Sequence, residues 1–122
     1  ADFRDHIVDV VSWGMSASEA SSCGSPADDG ADDINGHGTH VAGSVLGDGT
    51  NSSGNIKGVA PEARLYFQAI GVYCNSAGKT TLQGLPPDYT QLFKAGAENG
   101  SRVSLNNFLL FLQSSIFLEF LI

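Results

Sequence analysis

The chain has 122 residues, about the length of one domain, which allows a modest hydrophobic core. Apolar residues at 42% and charged residues at 16% exclude wholesale disorder, and fifteen glycines with four prolines indicate many turns rather than a helical bundle. The net charge of −7 originates in residues 1–33, which hold eight acidic residues against Arg4 alone. No basic stripe is available for a phosphate backbone, so the sequence argues against nucleic-acid binding.

Short strands alternate with loops in the first half of the predicted structure. Ile7 to Trp13 is rich in β-branched residues and predicts a strand. Residues 14–36 are mostly Ser, Ala, Gly and Asp and predict a long surface loop without periodicity. Residues 39–46 are compatible with a short helix rich in small residues. A second polar loop, over residues 47–58, then leads to a second predicted strand over residues 63–70.

Two cysteines, Cys23 and Cys74, are too few for a disulfide scaffold. They form either one bridge, as in an exported protein, or two buried thiols, and the sequence leaves both open. The N-terminus has no apolar segment, so we expect no signal peptide in this chain. The absence of an initiator Met suggests that the chain begins within something longer.

The clearest predicted helix runs from Asp88 to Asn99. Asp88 is a candidate N-cap, Gln91 is its capping-box partner, and the glycine after Asn99 is a stop signal. Apolar residues recur at helical spacing and predict one buried face packed on the sheet. We expect the helix to pack through Leu92 and Phe93 against the sheet that contains Leu65 and Phe67.

Residues 102–105 begin a third predicted strand. The order strand, helix, strand, helix, strand is typical of an α/β protein with a parallel sheet and flanking helices. In the segment that follows, Phe108 to Ile122, eleven of fifteen residues are Phe, Leu or Ile. Polar residues interrupt this segment, and it is shorter than the roughly 20 residues of a membrane span. We therefore expect a buried helix or strand there, and no membrane association.

The candidate catalytic residues lie in the segment from Asn35 to Gly43, whose sequence is Asn-Gly-His-Gly-Thr-His-Val-Ala-Gly. A histidine flanked by glycines at the start of a helix has an exposed ring and a closely approachable backbone. Imidazoles titrate near neutrality, which suits a general base. A lone histidine is more often structural than catalytic, so the residues by themselves leave both interpretations open.

The string from His37 to Gly43 resembles the histidine signature of the subtilisin-like serine peptidases, the subtilases. Residues 58–65, Gly-Val-Ala-Pro-Glu-Ala-Arg-Leu, are similar to the stretch that leads into a core strand of that family. The similarity covers roughly residues 3–103 and implies an incomplete subtilisin-like α/β/α fold. The implied organisation is a partial catalytic domain over residues 1–103 and a divergent apolar tail over residues 104–122.

By this resemblance, His37 is the catalytic histidine, and His40 is structural and less exposed than His37. The family's aspartate stands in an Asp-Ser/Thr-Gly turn upstream of the histidine. Asp9 follows an apolar segment of the right kind but has no Ser/Thr-Gly after it. Asp32 and Asp33 lie too close in sequence to the histidine and are expected to hydrate the loop. His37 is therefore the single site residue that we predict.

The nucleophile of the family lies in a Gly-Thr-Ser-Met-Ala-like segment, which this sequence does not contain. The similarity stops near residue 104, where the family usually reads Asn-Ser-Trp-Gly. We therefore predict a serine endopeptidase fragment that is inactive on its own. The alternative is a non-catalytic subtilase-derived fragment or pseudoenzyme. Protein or peptide substrates and a secreted or extracytoplasmic location follow from the resemblance, whereas the oligomeric state does not.

Metal sites are weakly indicated. His37 and His40 are three residues apart, as in some metal pairs, but no Glu completes a zinc motif, so we expect no metal or cofactor at the site. The loop over residues 47–55 offers oxygen ligands where many subtilases hold a structural calcium ion, but it does not fit an EF-hand, and a solvated turn is the simpler interpretation. Asn51-Ser52-Ser53 matches the pattern of N-glycosylation acceptors.

Overall fold

The computed structural model of the chain describes residues 2–26, 30–33, 36–82, 84–108 and 115–121. Short 3-10 turns span Arg4–His6 and Thr50–Ser52. The strands and helices, in chain order, are β1 (Ile7–Ser12), α1 (Ala17–Cys23), α2 (His37–Leu46), β2 (Arg64–Ala69), β3 (Gly71–Cys74), β4 (Lys79–Leu82), α3 (Thr90–Glu98), β5 (Val103–Phe108) and β6 (Ser115–Leu121).

The main sheet has four strands in the order β1-β2-β6-β5. Strand β1 pairs with β2 in parallel, with Val10 opposite Phe67. Strand β6 is antiparallel to both of its neighbours, β2 and β5. The parallel β1–β2 pair and the flanking helices are those of an α/β protein, as predicted, whereas the antiparallel pairs made by β6 were not expected. The apolar tail supplies β6, which pairs with backbone groups of β2 that would otherwise form an open edge.

Within the tail, residues 115–121 form a strand, which is one of the two forms expected for it. Its register with β2 places Leu118 opposite Phe67 and Ile116 opposite Ala69. The expectation for residues 109–114 and 122 lies outside the described residues. Across the described ranges, no helix combines the length and the apolarity needed to cross a membrane.

Strand β2 is the centre of the core, because every residue of it except Arg64 is buried. Alternate side chains of a strand point to opposite faces of the sheet. One face of β2 packs on α2, through Leu65 and Phe67 against Ala42 and Leu46. The remaining members of this cluster are Phe3, Ala63 and Ala69, with Val41, Val45, Ala60 and Leu105 at its border.

Helix α3 packs on the other face of β2, where Leu92 is fully buried against Ile70. The Gln68 side chain, also fully buried, donates to the Leu92 carbonyl (3.0 Å) and accepts from Trp13 Nε1 (2.7 Å). The predicted helix is confirmed, but the Phe93 side chain, which was expected in the buried face, is 44% exposed. Helices α2 and α3 thus lie on opposite sides of the sheet.

The start of α3 also differs from the prediction. The helix begins at Thr90 with Tyr89 as its N-cap, rather than at a capping box between Asp88 and Gln91. Asp88 still satisfies the helix start, because its carboxylate accepts from the Thr90 amide (2.9 Å) and hydroxyl (2.7 Å). These hydrogen bonds stabilise the helix start from Asp88, the residue before the N-cap, whereas the prediction made Asp88 itself the N-cap.

Helix α1 lies within residues 14–36, where a featureless loop was predicted, so that prediction is wrong in this part. A complete capping box begins the helix: the Ser16 hydroxyl accepts from the Glu19 amide (3.3 Å), and the Glu19 carboxylate accepts from the Ser16 amide (2.8 Å). Gly24 ends the helix in the left-handed conformation (φ 65°). Both signals are visible in the sequence as Ser-x-x-Glu and a following Gly.

A disulfide joins Cys23 to Cys74, which decides between the two alternatives left open by the sequence. The bridge connects the end of α1 to the β3–β4 hairpin, an antiparallel pair that the sequence analysis did not predict. The Ser76 amide donates to the Cys23 carbonyl (2.9 Å) and the Ser76 hydroxyl to the Ser22 carbonyl (3.1 Å). Helix α1 and the hairpin are therefore held together by a covalent bond and by hydrogen bonds.

Candidate active site

His37 is the first residue of α2, directly after a glycine N-cap. Gly36 has the left-handed conformation (φ 78°), which glycine adopts without the steric cost that a side chain would impose. Its carbonyl accepts from the His40 amide (3.0 Å), which closes the first turn. The expected position of His37 at the N-terminal end of a short helix is thus what the structure shows.

Gly36 has no side chain to cap the helix, and Asp33 supplies the missing acceptor. The Asp33 carboxylate accepts from the Thr39 amide (2.6 Å), and its carbonyl accepts from the Gly36 amide (3.2 Å). An aspartate here also lies favourably near the positive end of the helix dipole. The expectation that Asp33 only hydrates the loop is wrong. An acidic residue shortly before a helix start was the signal for this role.

The two histidines of α2 have different surroundings. The His37 ring is half-buried and its Nδ1 atom is buried, whereas His40 is exposed. The expectation that His40 is the less exposed of the two is therefore wrong. The helix turns Gly38, Ala42 and Leu46 toward the core, and His40 falls outside that face.

The C-terminal end of α2 is fixed by the segment over residues 58–60. The Gly58, Val59 and Ala60 amides donate to the Gly47, Ser44 and Val45 carbonyls at 2.7, 3.3 and 2.7 Å. These contacts satisfy carbonyls that a helix end leaves without an intrahelical partner. A Cβ atom at position 58 would lie 2.5 Å from the Val45 carbonyl carbon, so only glycine fits. The helix that carries His37 is thus held at both ends.

A small apolar cavity of about 130 Å³ lies between α2, β1 and the Asp33 segment. Its lining includes Phe3, Val10, Gly38 and Phe67, together with Asp33. It borders the first turn of α2, and therefore the backbone that positions His37. A wider groove lies beside the same helix, lined by residues that include Asp2, His40, Asn51 and Lys57.

The other aspartates considered from the sequence have separate positions. Asp9 is exposed on β1, and its carboxylate accepts from the neighbouring Val10 amide (2.9 Å). Asp32 is exposed in the segment before α2. In the part of the chain that the structure describes, no group of three or more His, Cys, Asp or Glu residues could hold a metal ion. The chemistry that this arrangement offers is proton exchange at one half-buried imidazole.

Comparison with known proteins identifies the family. The family model described as the subtilase family matches residues 2–86, more than half of the chain. The chain belongs to the subtilase family. The matched range includes His37 and the Gly-Val-Ala-Pro stretch, so the segment is a serine-peptidase-like domain, and by family a hydrolase. Residues 87–103, which also resembled the family, lie outside this match.

Two curated relatives support the assignment. The serine protease AprX of Bacillus subtilis is 53% identical over 51 residues, 41% of this chain and 11% of that protein. The serine protease/ABC transporter B family protein tagB of Dictyostelium discoideum is 38% identical over 79 residues, 62% of this chain and 4% of that protein. The chain therefore spans only a small part of these subtilase-type relatives. No solved structure matches it.

Proposed function

We propose that this chain is part of the catalytic domain of a subtilisin-like serine endopeptidase, in which His37 is the general base. The observation that carries the proposal is the position of the subtilase histidine signature. Its first residue, His37, begins α2, and the backbone around it is held by Asp33. A half-buried ring on a fixed helix end combines access for a proton with a defined orientation.

The chemistry follows from the serine–histidine–aspartate mechanism. His37 would accept the proton of the serine hydroxyl through Nε2 as the oxygen attacks the peptide carbonyl, and would return that proton to the leaving amine. An aspartate hydrogen-bonded to Nδ1 would hold the ring in the required tautomer. The burial of Nδ1 supports such an orientation, with that nitrogen turned toward the protein. Protein or peptide chains are the proposed substrates.

The serine and the triad aspartate would come from parts of a longer polypeptide. We base this on the small share of its relatives that the chain covers, 11% and 4%. By itself the chain is proposed to be inactive, because it contributes a base without the nucleophile motif. A secreted or extracytoplasmic location is supported by the Cys23–Cys74 disulfide, since such bridges persist in oxidising compartments.

For the loop over residues 47–55, where the resemblance suggested a calcium ion, we propose a solvated turn. The Asp48 carboxylate accepts from the Thr50 amide (2.7 Å), and the Asp2 carboxylate accepts from the Asn51 amide (3.3 Å). Hydrogen bonds from the backbone amide and the side chain of Thr50 lower the pKa of Asp48. No step of the proposed mechanism uses a metal ion.

The coding sequence on both sides of this segment tests the proposal. We expect it to continue into an Asp-Ser/Thr-Gly turn upstream, and into Asn-Ser-Trp-Gly and Gly-Thr-Ser-Met-Ala-like segments downstream. In that longer protein, His37→Ala should lower turnover on the order of 10⁴–10⁶-fold, a magnitude measured on subtilisin-type enzymes. His40→Ala is the matched control and should retain far more activity. A longer reading frame without a serine motif would instead support the pseudoenzyme alternative.

A further inference from the structure

Two segments of the chain match the acceptor pattern for N-linked glycans, Asn-x-Ser with x other than Pro. They are Asn51-Ser52-Ser53, in the loop between α2 and β2, and Asn99-Gly100-Ser101, directly after α3. The pattern alone does not distinguish them, but their structural surroundings are opposite.

Asn51 and Ser53 are exposed, and the loop does not depend on their side chains. Within the described residues, neither side chain makes a hydrogen bond; the contacts of both residues are made by their backbone amides, to Asp2 and Thr50. The Ser52 hydroxyl holds the turn instead, because it donates to the Gly49 carbonyl (2.9 Å) and accepts from the Ile56 amide (2.8 Å). A large group on Asn51 would therefore leave the hydrogen bonds of the loop intact.

Asn99 and Ser101, in contrast, are part of the end of α3. The Asn99 side-chain amide donates to the Ala95 carbonyl (2.8 Å), one of the carbonyls that the helix end leaves open. Ser101 is 8% exposed with a buried hydroxyl, and its amide donates to the Gly96 carbonyl (3.0 Å). A glycan on Asn99 would replace one of the two N–H groups of this capping amide and crowd the packed turn.

We infer that Asn51 is an N-glycosylation site of this protein and that Asn99 is not. The donor is a lipid-pyrophosphate-linked oligosaccharide. The Asn51 side-chain nitrogen forms a bond to the anomeric carbon as the bond from that carbon to the pyrophosphate oxygen breaks. The lipid pyrophosphate leaves, and the amide proton passes to a base of the transferase. This inference does not depend on the role of His37. It agrees with the disulfide, because disulfides and N-linked glycans form in the same secretory compartments.

To test this inference, the full chain is expressed in eukaryotic cells behind a cleavable secretion signal. The chain also carries an appended tag that has its own acceptor segment. The tag reports that each chain has met the transferase, whether it is secreted or retained. Glycans are released by peptide N-glycosidase in heavy-oxygen water, which marks each formerly occupied Asn as a heavy Asp for mass spectrometry. The unchanged chain is compared with four variants: Asn51→Gln, Ser53→Ala, Ser53→Thr and Asn99→Gln.

We expect a heavy Asp at position 51 in addition to that of the tag. This mark should be lost in Asn51→Gln and in Ser53→Ala, which keeps the acceptor Asn, and retained in Ser53→Thr and Asn99→Gln. Chains with a glycan on the tag and none at position 51 would overturn the inference. Occupancy of Asn99 would overturn its second half.

Discussion

Asp33 and His37 lie on either side of Gly36, the N-cap of α2, and the contrast between them shows what a sequence reveals at the scale of a residue. The seven-residue signature predicted the location of His37 because it combines a helix start with flanking glycines. The relative exposure of His37 and His40 was predicted wrongly. It depends on which side of α2 meets β2, and that contact joins residues far apart in the sequence.

The cap by Asp33 gives a prediction at this scale. Asp33→Ala removes the acceptor of the Thr39 amide, and should lower the free energy of unfolding by about 0.5–2 kcal/mol, the usual loss for an N-terminal cap. Asp33→Asn should lose less, because an amide oxygen can still accept. Urea unfolding of the three chains measures the difference. Asp32→Ala is the matched control, since Asp32 is exposed. Equal losses in Asp32→Ala and Asp33→Ala would contradict the capping role.

Helix α3 was predicted from helical spacing, which located the element and one of its two chosen core residues. Leu92 has no exposed surface, and its cluster includes Ile70, Trp13, Leu82 and Leu85. Periodicity does not distinguish Leu92 from its neighbour Phe93, because both fall near the apolar stripe. The contact with the Ile70 face of the sheet decides between them, and it is not visible in the helix sequence.

Truncation of these two neighbours should therefore have unequal effects. Leu92→Ala leaves a cavity in a packed core and should cost roughly 2–5 kcal/mol of unfolding free energy. Phe93→Ala should cost well below this, because the ring is 44% exposed. Chemical denaturation followed by Trp13 fluorescence compares the two variants. A loss for Phe93→Ala as large as that for Leu92→Ala would place α3 in a different orientation.

Helix α1 contributes a pH-dependent contact. The Ser16 hydroxyl and amide and the Gly84 amide donate to the Glu19 carboxylate, and lower its pKa below the ordinary value of 4.5. A carboxyl whose pKa is lower in the folded state stabilises that state at pH values above its ordinary pKa. This contribution is lost as the pH falls through the folded-state value.

The corresponding measurement is an NMR titration from neutral pH to well below 4.5. The amide signals of Ser16 and Gly84 should move together as Glu19 is protonated. Glu19→Gln keeps the shape of the side chain without its charge, so this common transition should disappear. The same transition in Glu19→Gln would show that another group controls these amides.

For the sheet as a whole, the sequence predicted the fold class but not the complete order of the strands. Local patterns identified the segments of β1, β2 and the beginning of β5, and their alternation with helices indicated an α/β protein. The position of β6 between β2 and β5 results from pairing across more than 45 residues, since Ala69 lies opposite Ile116. Composition marked the tail as apolar but contained no information on its partner. The sequence could not decide whether the two cysteines form a disulfide for the same reason, because they lie 51 residues apart.

The assembled molecule presents a subtilase histidine on a helix fixed at both ends, and the sequence contains no serine motif to accompany it. The central claim is that the chain supplies the base of a peptidase and not its nucleophile. Losing a triad member lowers turnover on the order of 10⁴–10⁶-fold even when the fold survives. A chain without the serine should therefore not react as a serine hydrolase.

The most direct test is to incubate the purified chain with a fluorophosphonate probe and to measure its intact mass. The account predicts an unchanged mass, identical to that of His37→Ala treated in the same way. A covalent adduct on a serine that is absent from His37→Ala would contradict it. Such an adduct would show that His37 already activates a nucleophile within these 122 residues.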